Sequence, residues 1–468
     1  TWIGFATARR LLQAPGVPRK VAARAGWLAG LGALLFGVHP MAAEVVLYTS
    51  QRTESLVALW YLATLWLLTR EAGEGARCWP WVLCASALGV VSKEVYVTAP
   101  WVVWCCDRAF YAGSFRAALT RRGRFYAALC LPLVLIPVLQ LGDPRQDSTR
   151  FFELDYLVAQ ARIVPGYLLT ALWPARPALD YGQLWPQDAS GAAGWIAVSV
   201  LLAAVSGIAG WCWPRRGFVG VWVCAILVPT SSLVSIHTEV GADRRFYLPL
   251  LGVMVALVVA VHVGGSALER AAADGGRLVA RWSSGVILAA AVLLALHTRQ
   301  HAASFASVRA FWQAAVAARP DCARAHYNLA ETLRREADLP GALMSFARAA
   351  DLQPRYADAH VNLAGLLITR GSLREGLRHA ERGAALAPSS PNAHYNLALA
   401  RALNGLRDPA LSELETTVRL QPAHLEARRK LAQAYLHVGQ IQAARAQALT
   451  LQAYLPTDPT AARILAAQ

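Results

Sequence analysis

The sequence predicts an all-α chain in two halves, a polytopic α-helical membrane bundle followed by a superhelix of short helical repeats. Three observations predict it. Hydrophobic residues make up 56% of the 468 and charged residues only 16%, with 16 Trp and 14 Tyr, which suits a membrane protein with a water-soluble part. Apolar runs on the scale of a bilayer crossing recur through residues 1–298. From residue 325 onward one short motif returns at a fixed interval. The net charge of +16 is nearly all arginine, since lysine stands only at 20, 93 and 430. In so apolar a chain that excess belongs in cytoplasmic loops, and no nucleic-acid partner is expected.

The chain opens at Thr1 with TWIGFATARRLL, which reads as the tail of a helix already under way, so an upstream segment is expected. Candidate membrane helices follow at 22–38, 55–69, 78–91, 95–106, 125–141, 192–212, 217–236, 246–263 and 282–298, about nine in all. The third and fourth form a hairpin around Ser92-Lys93-Glu94. The stretch 156–173, YLVAQARIVPGYLLTALW, is apolar but interrupted by Arg162 and Pro165, and is expected as an interfacial or re-entrant helix. Alternate connections carry simple basic clusters: Arg9, Arg10, Arg19, Lys20 and Arg24; Arg70 and Arg77; Arg108 to Arg124; Arg215 and Arg216; Arg270 to Arg281. The positive-inside rule makes those connections cytoplasmic. The opposite, periplasmic or lumenal, face receives 39–54, 92–94, the long loop 142–191, 237–245 and everything after 298. Arginine-for-lysine and alanine-rich usage favours a bacterial inner membrane over an endoplasmic reticulum. Seven of the eight cysteines lie in or beside apolar runs and read as small buried residues, with no metal spacing; Cys322 alone falls in the soluble part.

That soluble part, 299–468, is a repeat array. AHYNLA at 325 is followed by AHVNLA at 359, AHYNLA at 393 and ARRKLA at 427, each 34 residues on, and Pro320, Pro354, Pro388, Pro422 and Pro456 keep the same period. Small residues such as Ala330, Ala342 and Ala349 recur where two helices must touch. A 34-residue helix-turn-helix period of this kind is the tetratricopeptide signature, with units from about 323, 357, 391 and 425. Stacked units leave a concave groove suited to a protein partner. Asn328, Asn362 and Asn396 recur at one position of the first helix, and a carboxamide offers a donor and an acceptor to a peptide backbone. The series resembles the asparagine ladder of the O-linked N-acetylglucosamine transferase; the alternative is that these residues bond neighbouring helices.

Candidate site residues gather on the outer face. In HPMAAEVVLYTSQRTESL, residues 39–56, His39 and Glu44 stand at a membrane mouth, and a helix begun at Pro40 would set Glu44 and Arg52 on one face as an ion pair. Equally, a carboxylate and a guanidinium there could hold a sugar hydroxyl and a phosphate. Lys93 and Glu94, Asp180, and His237, Asp243, Arg244 and Arg245 join them on the same face. Charges at membrane depth are expensive, so four such clusters point to a shared cavity for an anionic, hydrophilic group.

HPMAAEVVLYTSQRTESL, SKEVYVTAP, LDYGQLWP and ADRRFYLPLLG, together with the repeats, resemble a family of polytopic proteins with C-terminal tetratricopeptide repeats. It includes the transmembrane-and-TPR O-mannosyltransferases and their bacterial relatives. The resemblance runs from about residue 25 to the C-terminus and implies a GT-C glycosyltransferase architecture. It implies a polyprenyl-phosphate sugar as donor, taken from the membrane, and transfer to a protein hydroxyl on the periplasmic or lumenal face. The catalytic Asp of that architecture lies in the first outer loop, upstream of Thr1, so the catalytic residue is not identified within this chain. Glu44, Glu94 and Asp180 would then support sugar or metal contacts, and Arg52, Lys93, Arg244 and Arg245 would meet the phosphate, whose charge grows as it leaves. Paired carboxylates permit a divalent cation without requiring one. The alternative function is a non-enzymatic membrane-anchored scaffold; a transporter is disfavoured, since no charged residue sits mid-helix.

Overall fold

The computed structural model describes residues 1–47, 52–140, 150–151, 154–174, 189–229, 234–235, 240–271 and 276–466. Its regular structure is helical, apart from a two-residue antiparallel pairing of Arg150–Phe151 with Val234–Ser235. The chain divides into two compact units, Thr1–Arg319 and Pro320–Gln468. The division expected after residue 298 falls within helix Gly276–Ala302, which lies in the first unit together with helix Val308–Ala318.

In the first unit the apolar runs return as helices, but few of them are uninterrupted. Where nine crossings are expected, three stretches among the described residues are long and apolar enough to cross a membrane: Ala192–Cys212, Asp243–Ala267 and Ser284–Phe305. A fourth results if Ala25–Gly37 and Pro40–Leu47, bent by 62° at their break, count as one. Local chemistry breaks up the others. Helix Trp79–Ser92 stops at an extended Lys93 and passes through a 3-10 turn, Glu94–Thr98, into Ala99–Asp107, which ends in a π-helical turn, Arg108–Ala112. Pro132 sits in the 3-10 turn Leu131–Val134 that follows Gly123–Cys130. Helix Arg52–Glu74 has 23 residues but carries charges at both ends. Helix Leu154–Leu172 runs unbroken through Pro165 and buries Tyr156 and Tyr167 completely.

Several arginines of the basic connections cap backbone ends. Arg108 donates to the carbonyls of Gly210 (3.0 Å) and Trp211 (2.8 Å), with its guanidinium over the Phe115 and Trp211 rings. Arg215 donates to three carbonyls, Ala109 at 3.0 Å, Gly16 at 2.9 Å and Pro15 at 2.9 Å. Asp107, fully buried, takes both Arg122 Nη1 and the Tyr126 hydroxyl. Carbonyls that would otherwise end bare in an apolar setting are thus satisfied by side chains.

The second unit consists of helix pairs in register with the sequence period: Ala323–Arg335 with Leu339–Leu352, Ala357–Arg370 with Leu373–Leu386, Pro391–Leu403 with Arg407–Leu420, and Leu425–His437 with Ile441–Tyr454. Helix Pro459–Ala466 packs on the last pair. The small residues do what their spacing suggests: Ala330, Ala342 and Ala349 are wholly buried beside Phe346. Each turn within a pair needs a left-handed residue, supplied by Gly371, Gly405 and Gly439 (φ 87°, 83° and 75°), but by Ala337 (φ 62°) in the first. A second repeating device ties each first helix to the loop before it. His326, His360 and His394 point Nε2 at the carbonyls of Pro320, Pro354 and Pro388 (2.9–3.2 Å), and Arg428 donates to that of Pro422 at 2.7 Å. From the same positions three of them reach the second helix nineteen residues on, at His379, Glu413 and Gln447.

Candidate functional site

The site lies in the first unit, where the break after Ala25–Gly37, the start of Arg52–Glu74 and the 3-10 turn Asp243–Phe246 converge. His39 stands at the break, 1% exposed. Its Nδ1 accepts the Met41 backbone N–H at 3.2 Å, so Nε2 carries the proton and donates to the Ala171 carbonyl at 3.1 Å. His39 therefore pins the break to helix Leu154–Leu172. One turn on, Glu44 is buried and accepts from Arg244 Nη1 at 3.0 Å. The pairing of Glu44 with Arg52 expected from an i, i+8 face does not form. Pro40–Leu47 and Arg52–Glu74 are separate helices, Arg52 is exposed, and Arg244 takes its place across 200 residues of chain.

A second buried pair sits beside the first. Lys93 bonds Glu54, which is 7% exposed, while Glu94 next to Lys93 is exposed. The turn carrying Lys93 is fastened to helix Arg52–Glu74 by two further bonds, Tyr96 OH with Thr64 Oγ1 (2.6 Å) and Tyr61 OH with Thr98 Oγ1 (3.1 Å). Gly89 is required there, because a Cβ would come within 2.3 Å of the Tyr96 ring. Asp243 is 1% exposed, and it and Glu54 lie close enough to Glu44 for their charges to be felt there. Arg245, also buried, donates from Nη1 to Tyr156 OH and to the Val240 carbonyl, both at 3.1 Å. Glu54, Lys93, Arg245 and Tyr247 line one crevice.

Behind this crevice runs an apolar groove of about 530 Å³ between helices Leu154–Leu172, Ala189–Cys212 and Pro214–Val228. Crevice and groove share a wall. The Val240 carbonyl that holds Arg245 also accepts Gln160 Nε2 at 2.6 Å, and Gln160 faces the groove with its Oε1 buried and without a hydrogen-bond partner. Ile226 faces the crevice while its neighbour Leu227 faces the groove.

Of the residues singled out from sequence, His39, Glu44, Lys93, Asp243, Arg244 and Arg245 come together here. Arg52 and Glu94 are solvent-facing on the same elements, and Asp180 and His237 lie outside the described residues. Glu54 and Gln160 carry no spacing signal: Glu54 and its partner Lys93 are 39 residues apart, and Gln160 reads as one polar residue in an apolar helix. Among the described residues no three His, Cys, Asp or Glu side chains converge as a metal site, and Glu44 and Glu54 are engaged by cations.

In the second unit the asparagines grip the preceding repeat. Asn362 Nδ2 donates to Tyr327 OH at 3.0 Å and Asn396 Nδ2 to the Val361 carbonyl at 2.9 Å; Asn328 is half-buried on the first helix. Cys322 is also inward, buried as the cap of helix Ala323–Arg335 with its sulfur accepting from Ala325 N.

No protein-family model matches the chain, and no curated protein matches it. Solved structures do. The chain is similar to MamA (21% identity, 31% of this chain and 84% of that one, TM-score 0.29). It is also similar to YrrB, described as a TPR protein with an unusual peptide-binding site (18%, 37% and 86%, TM-score 0.30), and to PilF of Pseudomonas aeruginosa (14%, 45% and 96%, TM-score 0.32). On its own geometry, with four helix pairs at a 34-residue period, the second unit is a tetratricopeptide-repeat array, a fold of the protein-interaction class.

Proposed function

We propose that this protein is a membrane glycosyltransferase that moves a sugar from a polyprenyl-phosphate donor to a protein acceptor on the periplasmic or lumenal face, its repeats binding the acceptor or a partner. The observation that carries the reading is the adjacency of the crevice and the groove. An apolar groove backed by a wall of Gln160 and Val240, with Arg245, Lys93 and the Glu44–Arg244 pair on the other side, suits a ligand with a long apolar tail and an anionic head. The leaving phosphate gains charge as the sugar–oxygen bond breaks, and cations fixed in an apolar surround stabilise that charge far better than water-exposed ones. Buried acids keep those cations satisfied in the absence of ligand.

The test uses the full-length protein in proteoliposomes with a fluorescent polyprenyl-phosphate sugar and an unfolded acceptor protein. Removing one partner of a buried pair leaves a bare charge at a cost of about 3–5 kcal/mol, so the informative variant is the neutral double exchange Glu44→Gln with Arg244→Gln. It should stay monodisperse in detergent and lose transfer by at least about a hundredfold. Wild-type transfer in that variant would demote the pair to a structural link.

A second reading, a membrane-anchored scaffold without catalysis, is favoured by the repeat array, whose four helix pairs at a 34-residue period form a fold of the protein-interaction class. It predicts partner capture by the repeats with no sugar transfer by the wild-type protein.

A further inference from the structure

Nineteen residues after the side chain that holds each loop carbonyl, the repeats differ: Ser345 in the first, His379 in the second, Glu413 in the third and Gln447 in the fourth. The second repeat alone of the four sets two imidazoles there. His360 Nδ1 and His379 Nδ1 are 2.9 Å apart, with one proton between them. His360 is oriented from behind: its Nε2–H donates to the Pro354 carbonyl at 3.2 Å, which fixes the tautomer and leaves the Nδ1 lone pair to His379. A backbone carbonyl on the second ring nitrogen is how metal-binding histidines are commonly held. Burial keeps both rings below the ordinary 6.5, so at pH 7 both are neutral and carry the lone pairs a metal ion needs. His379 is half-buried, and its Nε2 has no hydrogen-bond partner among the described residues. Asp351 and Glu375 bring negative charge to the pair, against Arg378 and Arg382.

We propose that His360 and His379 form a two-histidine site for a divalent metal ion of the zinc and copper class, with water completing the coordination. The ion takes the place of the proton between the rings and bonds both Nδ1 atoms. The proton that leaves His379 Nδ1 is replaced by one at its Nε2, so both rings stay neutral. Two zinc–nitrogen bonds of about 2.0–2.1 Å in a tetrahedral array set the nitrogens roughly 3.3 Å apart, so the rings need part by only about 0.4 Å. Imidazole suits zinc, copper and nickel, whereas magnesium and calcium prefer oxygen ligands. His360 stands on helix Ala357–Arg370 and His379 on helix Leu373–Leu386, so the bound ion clamps the two helices of one repeat. The site lies wholly in the second unit and is independent of any transfer activity in the first.

The test uses the full chain, purified in detergent, freed of metal with a chelator and dialysed against zinc, with the bound ions counted. Wild type should hold one more ion than His379→Ser, in which affinity at this site should fall by about a hundredfold. Serine is the residue of the first repeat at this place, so the variant keeps a side chain the fold already accepts. If it nevertheless fails to fold, His379→Gln, the residue of the fourth repeat, carries the same test. Copper gives a second readout that a merely structural histidine pair would not move. The electron paramagnetic resonance of Cu2+ bound to wild type should contain a species coupled to two imidazole nitrogens that the variant lacks. Equal zinc counts and equal affinities in wild type and a folded His379 variant would place the metal at other histidines and cysteines and overturn the site. Absence of bound zinc in the wild type overturns it too, as does displacement of the extra ion by excess magnesium, which would mark an oxygen site.

Discussion

Replacing His379 with glutamate should blunt the response of the second repeat to acid. In the native pair His360 Nε2–H donates to the Pro354 carbonyl at 3.2 Å, which leaves its Nδ1 to accept His379 Nδ1–H at 2.9 Å, with the rings stacked at 5.1 Å. Burial lowers the pKa of both rings below the ordinary 6.5, and His360 lowers that of His379 further. The surrounding charges are Asp351 and Arg382 toward His360, and Glu375, Arg378 and Asp351 toward His379. Because the folded pair holds protons less tightly than the unfolded chain, its contribution is complete above about pH 6.5 and is lost as pH falls below it. The limiting slope is about 1.4 kcal/mol per pH unit for each proton, and the half-exposure of His379 keeps its share below that limit. His379→Glu reproduces the third repeat, where His394 Nδ1 meets Glu413 Oε2 at 2.5 Å. A carboxylate there favours the imidazolium of His360 and opposes the lowering by burial, so the loss of stability in acid should shrink. Urea unfolding of Pro320–Gln468 at pH 5, 6, 7 and 8 measures both. His326, also lowered by burial, is common to the two proteins and cancels in their difference. Parallel stability curves would refute the reasoning.

Ala337→Gly should stabilise the isolated repeats by about 0.5–1 kcal/mol, since it removes a left-handed alanine from a turn where the other units use glycine; a drop in the urea midpoint would contradict this. Asn362→Ala and Asn396→Ala should each cost about 1 kcal/mol of repeat stability through the lost bonds to Tyr327 and Val361, and unchanged unfolding would return these side chains to peptide binding. Sidedness is testable at Met344, which is 69% exposed, rather than at the buried Cys322. Met344→Cys should react with an impermeant maleimide on intact spheroplasts, and labelling only after permeabilisation would put the repeats in the cytoplasm.

The two halves were legible to different degrees because their signals differ in range. The repeat array repeats its own evidence: alanines at contact positions, prolines at loop ends and a glycine in most turns announce each helix pair locally. Residue identities along the apolar half locate helices well but not their breaks, since Lys93 extended and Arg108 in a π-turn depend on packing against other helices. The site shows the same division. Glu44 and Arg244 stand out as charges beside apolar runs, yet their pairing spans 200 residues and local spacing suggests Arg52 instead. Glu54 reads as an ordinary first-turn acid at a helix N-terminus until Lys93 is seen against it. Gln160 becomes informative only once its Oε1 is found buried without a donor.

The arginine caps also impose an order on biosynthesis. The carbonyls of Pro15 and Gly16 receive their donor, Arg215, only after some 200 further residues have been made. At about 5–20 residues per second that is a wait of roughly 10–40 s. Arg108 waits in the other direction, complete as a side chain but without Gly210 and Trp211 to hold until about a hundred more residues emerge. The N-terminal helices therefore spend the first part of their existence with open ends, and helices Ala189–Cys212 and Pro214–Val228 close them on arrival. A ribosome stalled before residue 215 would leave a chain with its first helices formed but not yet locked, the state in which quality-control proteases would find it most vulnerable.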